Sequence, residues 1–211
     1  MRSVVKRVPG ANENLHVVLL SGGFINAEDF EHHGFIANLR ERGIDCPVTI
    51  AEVRMAYFAD GSITMRVREV ADAARAAGAE RLWIAGVSLG GLAALCHAAG
   101  DESVAGLALF SPYPGTRLVL REIEAAGGLA AWANDNAPSD VEREAWHWLA
   151  RRPPGKPPVH AWYGASDRFV AGQRLLAGAL PGENVHEIAG GHDWPDWREM
   201  WNRFLETDTL R

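Results

Sequence analysis

The sequence predicts an α/β fold with a mostly parallel central sheet and helices on both faces. Short apolar segments of strand length alternate along the chain with longer segments whose apolar residues recur at helical spacing. The 211 residues are enough for one domain with a substantial core and few for two. Because strand–helix–strand crossovers are right-handed, the order of the elements nearly fixes the topology.

Six segments are predicted strands: residues 16–20, 47–53, 82–86, 106–110, 159–163 and 185–188. Four segments between them are predicted helices: residues 29–42, 62–77, 89–99 and 171–180. A last helix is predicted after Pro195, which suits a first helical turn, and its tryptophan stripe favours core packing. Only residues 3–8 precede the first strand, so we expect a sheet that is short at its amino-terminal edge.

Residues 112–158 interrupt this alternation, because a long segment stands where a single crossover is expected. Helix-compatible pieces at 117–126 and 140–150 are separated by Gly127-Gly128 and by a loop at 134–138. A proline-rich connector at 153–158 then leads back into a strand.

The tryptophans of this insertion, Trp132, Trp146 and Trp148, have two interpretations. Either they pack the insertion onto the body of the domain, or they form the aromatic face of a small helical lid over an apolar substrate pocket. We expect a single domain over residues 1–211 with a small lid or cap insertion at about 112–158.

The composition of the chain argues against some classes of binding partner. The net charge of −6 and the lack of a basic stripe argue against nucleic acid and against anionic membranes. The sequence has neither a secretory signal at its start nor an apolar run of the ~20 residues needed to cross a bilayer. Cys46 and Cys96 lack metal or redox spacing and are expected to be reduced and buried. These features predict a cytoplasmic protein without stable membrane anchoring.

The segment Gly86-Val87-Ser88-Leu89-Gly90-Gly91 directly follows the apolar run at 82–85 and precedes an Ala/Leu-rich helix. A G-x-S-x-G sequence between strand and helix is typical of a nucleophile elbow, in which the serine projects from the end of a sheet. The glycines are needed because Cβ atoms there would collide with neighbouring backbone. Ser88 is therefore the candidate nucleophile.

A serine nucleophile needs a base to take its proton and an acid to orient that base. Asp167 and His192 each lie just past a predicted strand, in the order Ser, Asp, His. Considered alone, Asp167 has another interpretation as the cap of a helix that begins near Phe169, and His192 has another as an exposed loop residue. Taken together, Ser88, Asp167 and His192 predict a catalytic triad.

The negative oxygen that forms in such chemistry needs at least two N–H donors. Leu89 supplies one from the start of its helix. The strand at 16–20 runs into Ser21-Gly22-Gly23-Phe24, and Gly23 is the expected second donor, with Phe24 as the neighbour that can replace it. The alternative for this loop is a plain Gly-Gly turn.

Across almost its whole length the chain resembles the α/β-hydrolase superfamily. Four segments carry the resemblance: 19–24, 86–91, 163–170 and 190–195. The resemblance implies a Ser88–His192–Asp167 triad, an acyl-enzyme intermediate and no cofactor or metal. Many relatives have His-Gly in the oxyanion loop, where this chain has Ser21-Gly22. That departure leaves the backbone donors in place and raises the question of what supports the loop.

The sequence predicts a serine hydrolase that cleaves a small-molecule carboxylic ester or thioester. Residues just past strand ends are aromatic or aliphatic, and the expected substrate contacts are Phe24, Tyr57, Tyr113 and Trp194. Two alternatives remain open: an acyltransferase that uses the same triad, and a non-catalytic binding or sensor protein on a hydrolase scaffold. The sequence leaves the oligomeric state open.

Overall fold

A seven-stranded sheet forms the centre of the computed structural model, which describes residues 5–135, 137–152 and 157–211. In chain order the strands are β1 Val5–Val8, β2 Leu15–Leu20, β3 Val48–Ala51, β4 Arg81–Val87, β5 Gly106–Phe110, β6 Val159–Gly164 and β7 Val185–Ile188. Across the sheet their order is β1-β3-β2-β4-β5-β6-β7. Only the β1–β3 pair is antiparallel among these strands. The predicted mostly parallel sheet is confirmed.

The helices connect successive strands. They are α1 Ala27–His32, α2 Phe35–Glu41, α3 Met55–Ala59, α4 Ile63–Ala76, α5 Leu89–Gly100, α6 Arg117–Ala125, α7 Leu129–Asp135, α8 Val141–Arg151, α9 Val170–Ala177 and α10 Trp194–Glu206. A short 3₁₀ turn, Gly182–Asn184, precedes β7.

Three helical segments differ from the sequence-based prediction. The predicted helix at 29–42 is two helices, because Gly34 takes a left-handed conformation (φ 81°) between them. Helices α3 and α7 were not predicted. They have 5 and 7 residues, too few for a helical period to be visible in the sequence.

The strands contribute to two hydrophobic cores, one on each face of the sheet, because successive side chains point to opposite faces. On one face, residues such as Val18, Ile84 and Leu107 pack against helices that include α4, α5 and α8. On the other, Val17 and Phe110 pack against α1, α2 and α10. Helices therefore cover both faces, as predicted.

The insertion at 112–158 packs closely against the rest of the domain. Trp132 and Trp146 are fully buried in the same core as α5, and Trp148 is 9% exposed. The indole N–H of Trp146 donates to the carbonyl oxygen of Pro114 at 3.1 Å. This geometry agrees with the interpretation that the tryptophans anchor the insertion; a lid function stays a prediction. Residue 136 of the predicted loop and residues 153–156 of the predicted connector lie outside the described residues.

Two further sequence-based expectations concern the whole chain. Within the described ranges, no helix has both the length and the apolar character that a membrane span requires. Cys46 and Cys96 are free and buried, and burial raises the pKa of each thiol. Both cysteines therefore have the character of core residues.

Candidate active site

Ser88 lies at a sharp turn between β4 and α5. Its backbone has φ 51° and ψ −115°, a region that residues with a side chain rarely adopt. The turn is held because the Ser88 N–H donates to the carbonyl oxygen of Phe110 at 3.0 Å, and the Ser88 carbonyl accepts from Tyr113 N at 2.8 Å. Strain at a residue so firmly held is typical of functional sites.

The flanking glycines leave no room for side chains. A Cβ atom on Gly86 would lie 2.3 Å from the carbonyl oxygen of Gly90, and one on Gly90 would lie 2.2 Å from the carbonyl oxygen of Leu20. Both obstacles are backbone atoms, which cannot move aside as a flexible side chain can. The close approach of β2, β4 and α5 thus depends on these glycines.

Ser88, His192 and Asp167 form one chain of hydrogen bonds. His192 Nε2 lies 2.9 Å from Ser88 Oγ, and His192 Nδ1 lies 2.8 Å from Asp167 Oδ2. With Nδ1 donating to the carboxylate, Nε2 is left to accept the serine proton. The structure therefore brings together the three residues that the sequence predicts as a triad, at distances suited to proton transfer.

Asp167 is buried and accepts three hydrogen bonds. Its Oδ1 accepts from Phe169 N at 2.8 Å, and its Oδ2 accepts from Gln173 Nε2 at 2.9 Å as well as from His192. Burial opposes ionisation of this carboxyl, but the hydrogen bonds from His192, Gln173 and Phe169 outweigh burial and lower the pKa of Asp167. The acid is thus kept as a carboxylate, the form that stabilises an imidazolium.

Two aromatic rings hold the imidazole of His192 from the sides. Phe169 and Trp197 meet it edge-to-face, with ring centroids 5.1 Å and 5.2 Å away. The preceding loop is fixed as well, since Gly191 N donates to Asp196 Oδ2 at 2.5 Å. Gly190 has φ 136°, and a Cβ there would meet the same carboxylate at 2.4 Å. These contacts restrict the rotation of the His192 imidazole.

The loop that carries the predicted donor Gly23 lies against Ser88 and Leu89. A Cβ on Gly22 would be 3.3 Å from Ser88 Cβ, and one on Gly23 would be 3.8 Å from Leu89 Cδ2. In the described part of the chain, no hydrogen bond uses the N–H of Gly23 or of Leu89. Leu89 N–H is the first of helix α5, where the helix dipole favours a negative charge. Both donors are available to a ligand oxygen.

Ser21 supports this oxyanion loop. The side chain is fully buried, its hydroxyl donates to the carbonyl oxygen of Gly22 at 3.0 Å, and its oxygen accepts from Val53 N at 3.0 Å. The hydroxyl thus joins the loop after β2 to the segment after β3. This pair of bonds answers the question raised by the absence of histidine at this position.

The structure places two of the predicted substrate contacts very differently. Phe24 is 105% exposed and has a positive φ of 64°. Tyr57 is 6% exposed and packs in the core, with the Arg66 guanidinium 4.1 Å from its ring centre. Phe24 thus borders solvent beside the oxyanion loop, whereas Tyr57 lies beneath a charged side chain.

The other two predicted contacts lie nearer the triad. Tyr113 donates its N–H to Ser88 O, and its half-buried ring meets Phe169 edge-to-face at 5.2 Å. Trp194 stacks on His33 at 4.2 Å and contacts Trp197, which in turn contacts His192. The role of all four residues as substrate contacts stays a prediction.

Four residues of the site were not predicted as such from the sequence: Phe169, Gln173, Asp196 and Trp197. Phe169 and Gln173 follow Asp167 by two and six residues. An acid at a strand end that leads directly into a helix was the one signal that could have indicated them. Trp197 belongs to the tryptophan stripe of the last helix, which the sequence assigned to core packing. It does pack in the core, and its ring also contacts His192. Nothing in the spacing marked Asp196.

The described residues include no group of three or more His, Cys, Asp or Glu side chains placed to hold a metal ion. The expectation that the chemistry needs no metal or cofactor stays a prediction.

No protein-family model matches the chain, and no curated protein matches it by sequence. Solved structures do match. A monoacylglycerol lipase from Paleococcus ferrophilus is 17% identical with a TM-score of 0.64, and the match covers 100% of this chain and 99% of that chain. The fluorophosphonate-binding serine hydrolase F of Staphylococcus aureus is 15% identical with a TM-score of 0.67, over 100% of both chains.

A third structure, the alpha/beta hydrolase domain-containing protein 10 from mouse, is 18% identical with a TM-score of 0.62, covering 98% of this chain and 94% of that chain. At these identities the likeness concerns the fold. The chain has the α/β-hydrolase fold over its full length, and the predicted fold class is confirmed.

Proposed function

We propose that this protein is a serine hydrolase that cleaves a small-molecule carboxylic ester, or a thioester, through an acyl-enzyme intermediate. The observation that carries the proposal is the continuous chain of bonds from Ser88 Oγ through His192 to Asp167, at 2.9 Å and 2.8 Å. The unused N–H groups of Gly23 and Leu89 beside Ser88 complete the set of parts that acyl transfer requires.

In the first half of the proposed reaction, Ser88 Oγ attacks the ester carbonyl carbon while His192 Nε2 takes its proton. The carbonyl oxygen becomes negative and accepts hydrogen bonds from Gly23 N–H and Leu89 N–H. Asp167 stabilises the imidazolium. His192 then gives its proton to the leaving oxygen, the bond between carbon and leaving oxygen breaks, and the alcohol departs.

In the second half, water replaces the alcohol. His192 Nε2 takes a proton from the water as its oxygen attacks the acyl carbon, and the same oxyanion donors hold the second tetrahedral intermediate. The proton returns to Ser88 Oγ as that bond breaks, and the carboxylic acid leaves. Phe24, Tyr57, Tyr113 and Trp194 are the proposed substrate contacts.

Other proteins of this fold support the choice of reaction class, since neighbours named above are a lipase and a serine hydrolase, and another is a ferulic acid esterase. We also propose the cytoplasm as the compartment, because the buried thiols of Cys46 and Cys96 are free.

A fluorophosphonate probe tests the nucleophile, because it reacts with an activated serine hydroxyl. We expect the wild type to be labelled and Ser88→Ala to remain unlabelled. Ser139→Ala, at an exposed serine of the insertion, is the matched control and is expected to label as the wild type does. Equal labelling of Ser88→Ala would remove Ser88 from the mechanism.

A panel of p-nitrophenyl esters of rising chain length, run beside acyl-thioesters, tests the reaction. We expect turnover, and a fall in kcat of at least ~10³-fold in His192→Ala because the triad acts as a unit. Saturable ligand binding without turnover, unchanged in Ser88→Ala, would instead identify a binding protein. Acyl transfer to an added alcohol or amine in preference to water would identify an acyltransferase.

A further inference from the structure

A groove of about 430 Å³ lies between the loop after β2 and the loop after β3, lined by residues 23–26 and 52–55. Its lining includes the proposed oxyanion donor Gly23, whose Cβ position is 3.8 Å from Leu89 Cδ2, and the neighbouring Gly22 lies against Ser88. Its volume is in the range of small-molecule sites. The groove is therefore large enough for part of a small substrate, and it borders the loop that carries the proposed oxyanion donor.

The order of the strands determines which part of an ester enters this groove. Ser88 follows β4, the central strand. The strands β2 and β3, which lead to the groove, lie on one side of β4. The strands β6 and β7, which lead to Asp167 and His192, lie on the other side. The leaving oxygen must face His192 Nε2 to receive its proton. With the carbonyl oxygen at Gly23 and Leu89 and the alcohol arm towards His192, the acyl arm is the arm that lies on the side of the groove.

Part of the groove has apolar walls. Phe24 is 105% exposed and Met55 is 51% exposed, so both side chains present apolar surface there. Phe24 has a positive φ, which is unfavourable for a bulky residue, and its side chain lies at the groove and outside the core. A methylene chain lying between Phe24 and Met55 would remove both from water.

The groove also contains an ion pair in which Glu52 is buried and Arg54 is exposed. The Glu52 side chain is 9% exposed; Oε1 accepts from Ala27 N at 3.3 Å, and Oε2 accepts from Arg54 Nη2 at 3.1 Å. The Arg54 side chain is 42% exposed, and Glu52 is its one side-chain partner among the residues described. Nε and Nη1 of Arg54 are therefore free to donate.

From these observations we infer that the groove binds an acyl arm that ends in a carboxylate, with Phe24 and Met55 along the chain and Arg54 at its end. The planar guanidinium suits a carboxylate because two of its N–H groups can donate in parallel. Glu52 fixes the guanidinium from its buried side. The substrate class is thus the monoester of a dicarboxylic acid, an inference that rests on the proposed ester hydrolysis.

Matched pairs of p-nitrophenyl esters test this inference. The monoesters of adipate, pimelate and suberate carry a terminal carboxylate, and the hexanoate, heptanoate and octanoate esters have the same chain lengths without it. We expect kcat/KM to be higher for the carboxylate ester in at least one pair. In Arg54→Gln the ratio of carboxylate to neutral ester should fall about tenfold in that pair.

Arg203→Gln is the charge-matched control, because Arg203 lies in α10 and pairs with Glu199. It should leave the ratio at its wild-type value. Glu52→Gln serves as a second variant, since it removes the negative charge of the pair and should raise the ratio. Opposite shifts in Arg54→Gln and Glu52→Gln cannot result from a general loss of folding.

Three results would overturn the inference. One is a preference for the neutral ester in every pair. The second is an unchanged ratio in Arg54→Gln. The third is an Arg54 dependence confined to a carboxylate on the alcohol arm, measured with 4-carboxyphenyl and phenyl butyrate. An absence of turnover with all esters, neutral ones included, would instead count against ester hydrolysis itself.

Discussion

Gln173 donates a hydrogen bond from its side-chain amide to Asp167 Oδ2, at 2.9 Å in the buried interior. The same oxygen accepts from His192 Nδ1, and the same amide nitrogen donates to the carbonyl oxygen of Pro112 at 3.2 Å. One fully buried amide in α9 thus connects the triad acid to the loop that borders Ser88. Gln173 is a positioning residue, because it acts through Asp167.

Replacing Gln173 by Met keeps the volume and removes the donor. We expect kcat to fall about tenfold, since hydrogen bonds to charged groups are worth ~1.5–3 kcal/mol. Because the lost bond favours the carboxylate form, the pKa of Asp167 should rise, and the loss of kcat/KM that protonation of Asp167 causes at low pH should begin at a higher pH. Steady-state kinetics across pH measure both effects.

Arg174→Gln, one residue further along α9, is the matched control, because Arg174 is exposed and pairs with Glu187 at the surface. It should change neither kcat nor the pH at which this loss of kcat/KM begins. A Gln173→Met enzyme that loses stability but keeps the wild-type pH profile would show that Gln173 only packs.

Ser21→Ala tests how the oxyanion loop is supported. The change leaves Val53 N–H buried without its acceptor and releases the Gly22 carbonyl, so we expect a loss of ~1–3 kcal/mol in unfolding free energy. A looser loop misplaces Gly23 N–H, and kcat should fall about tenfold with a smaller change in KM, within the ~3 kcal/mol that one oxyanion donor provides. Urea unfolding and ester kinetics measure the two quantities.

Ser139→Ala again provides the reference for loss of a serine hydroxyl at an exposed site. A Ser21→Ala variant with lower stability and wild-type kcat would limit Ser21 to a structural role.

The triad was predictable because each member lies at the carboxyl end of a strand, where a parallel sheet brings its loops together. The G-x-S-x-G motif located Ser88, this rule located Asp167 and His192, and the structure brings the three residues into contact. Gln173 was not located in this way, since it lies within an apolar helical segment, and its bond to the Pro112 carbonyl oxygen depends on the packing of α9 against the loop after β5.

The groove beside the oxyanion loop was beyond sequence analysis for a similar reason. Glu52 and Arg54 lie far along the chain from Gly23, and the parallel pairing of β2 with β3 brings them to one edge. Helix α3, which follows Arg54, is too short to show a period. The position of an aromatic residue in the sequence does not show whether it is exposed. Phe24 and Tyr57 both follow strand ends, yet Phe24 is exposed and Tyr57 is buried.

Gly90→Ala tests the steric basis of the elbow. The new Cβ would lie 2.2 Å from the backbone carbonyl oxygen of Leu20, so β2 or α5 must shift. We expect a loss of about 3 kcal/mol or more in unfolding free energy, at the upper end for overpacking. Gly182→Ala is the control, since among the described residues no heavy atom beyond Gly182 and its two chain neighbours lies within 4 Å of its Cβ position. Equal unfolding midpoints for the two variants would refute the steric argument.

Glu142 gives the stability of the protein a pH dependence. Burial raises the pKa of this carboxyl above its usual 4.5, although Thr116 N and Oγ1 donate to Oε1 at 2.6 Å and 3.1 Å and oppose the rise. The folded state therefore holds the proton more tightly than the unfolded state. It follows that this group lowers stability as pH increases from 4.5 through the folded pKa.

Glu142→Gln removes this titration and keeps an oxygen that can accept from Thr116. We expect the difference in unfolding free energy, Glu142→Gln minus wild type, to increase with pH from about pH 4 to about pH 8. Denaturant unfolding at each pH measures it. Glu144→Gln, an exposed site two residues further along α8, supplies the control for removing one carboxylate and should show a smaller change with pH. A difference for Glu142→Gln that stays constant or decreases would contradict the raised pKa, because loss of an unfavourable buried charge can only favour the variant as pH increases.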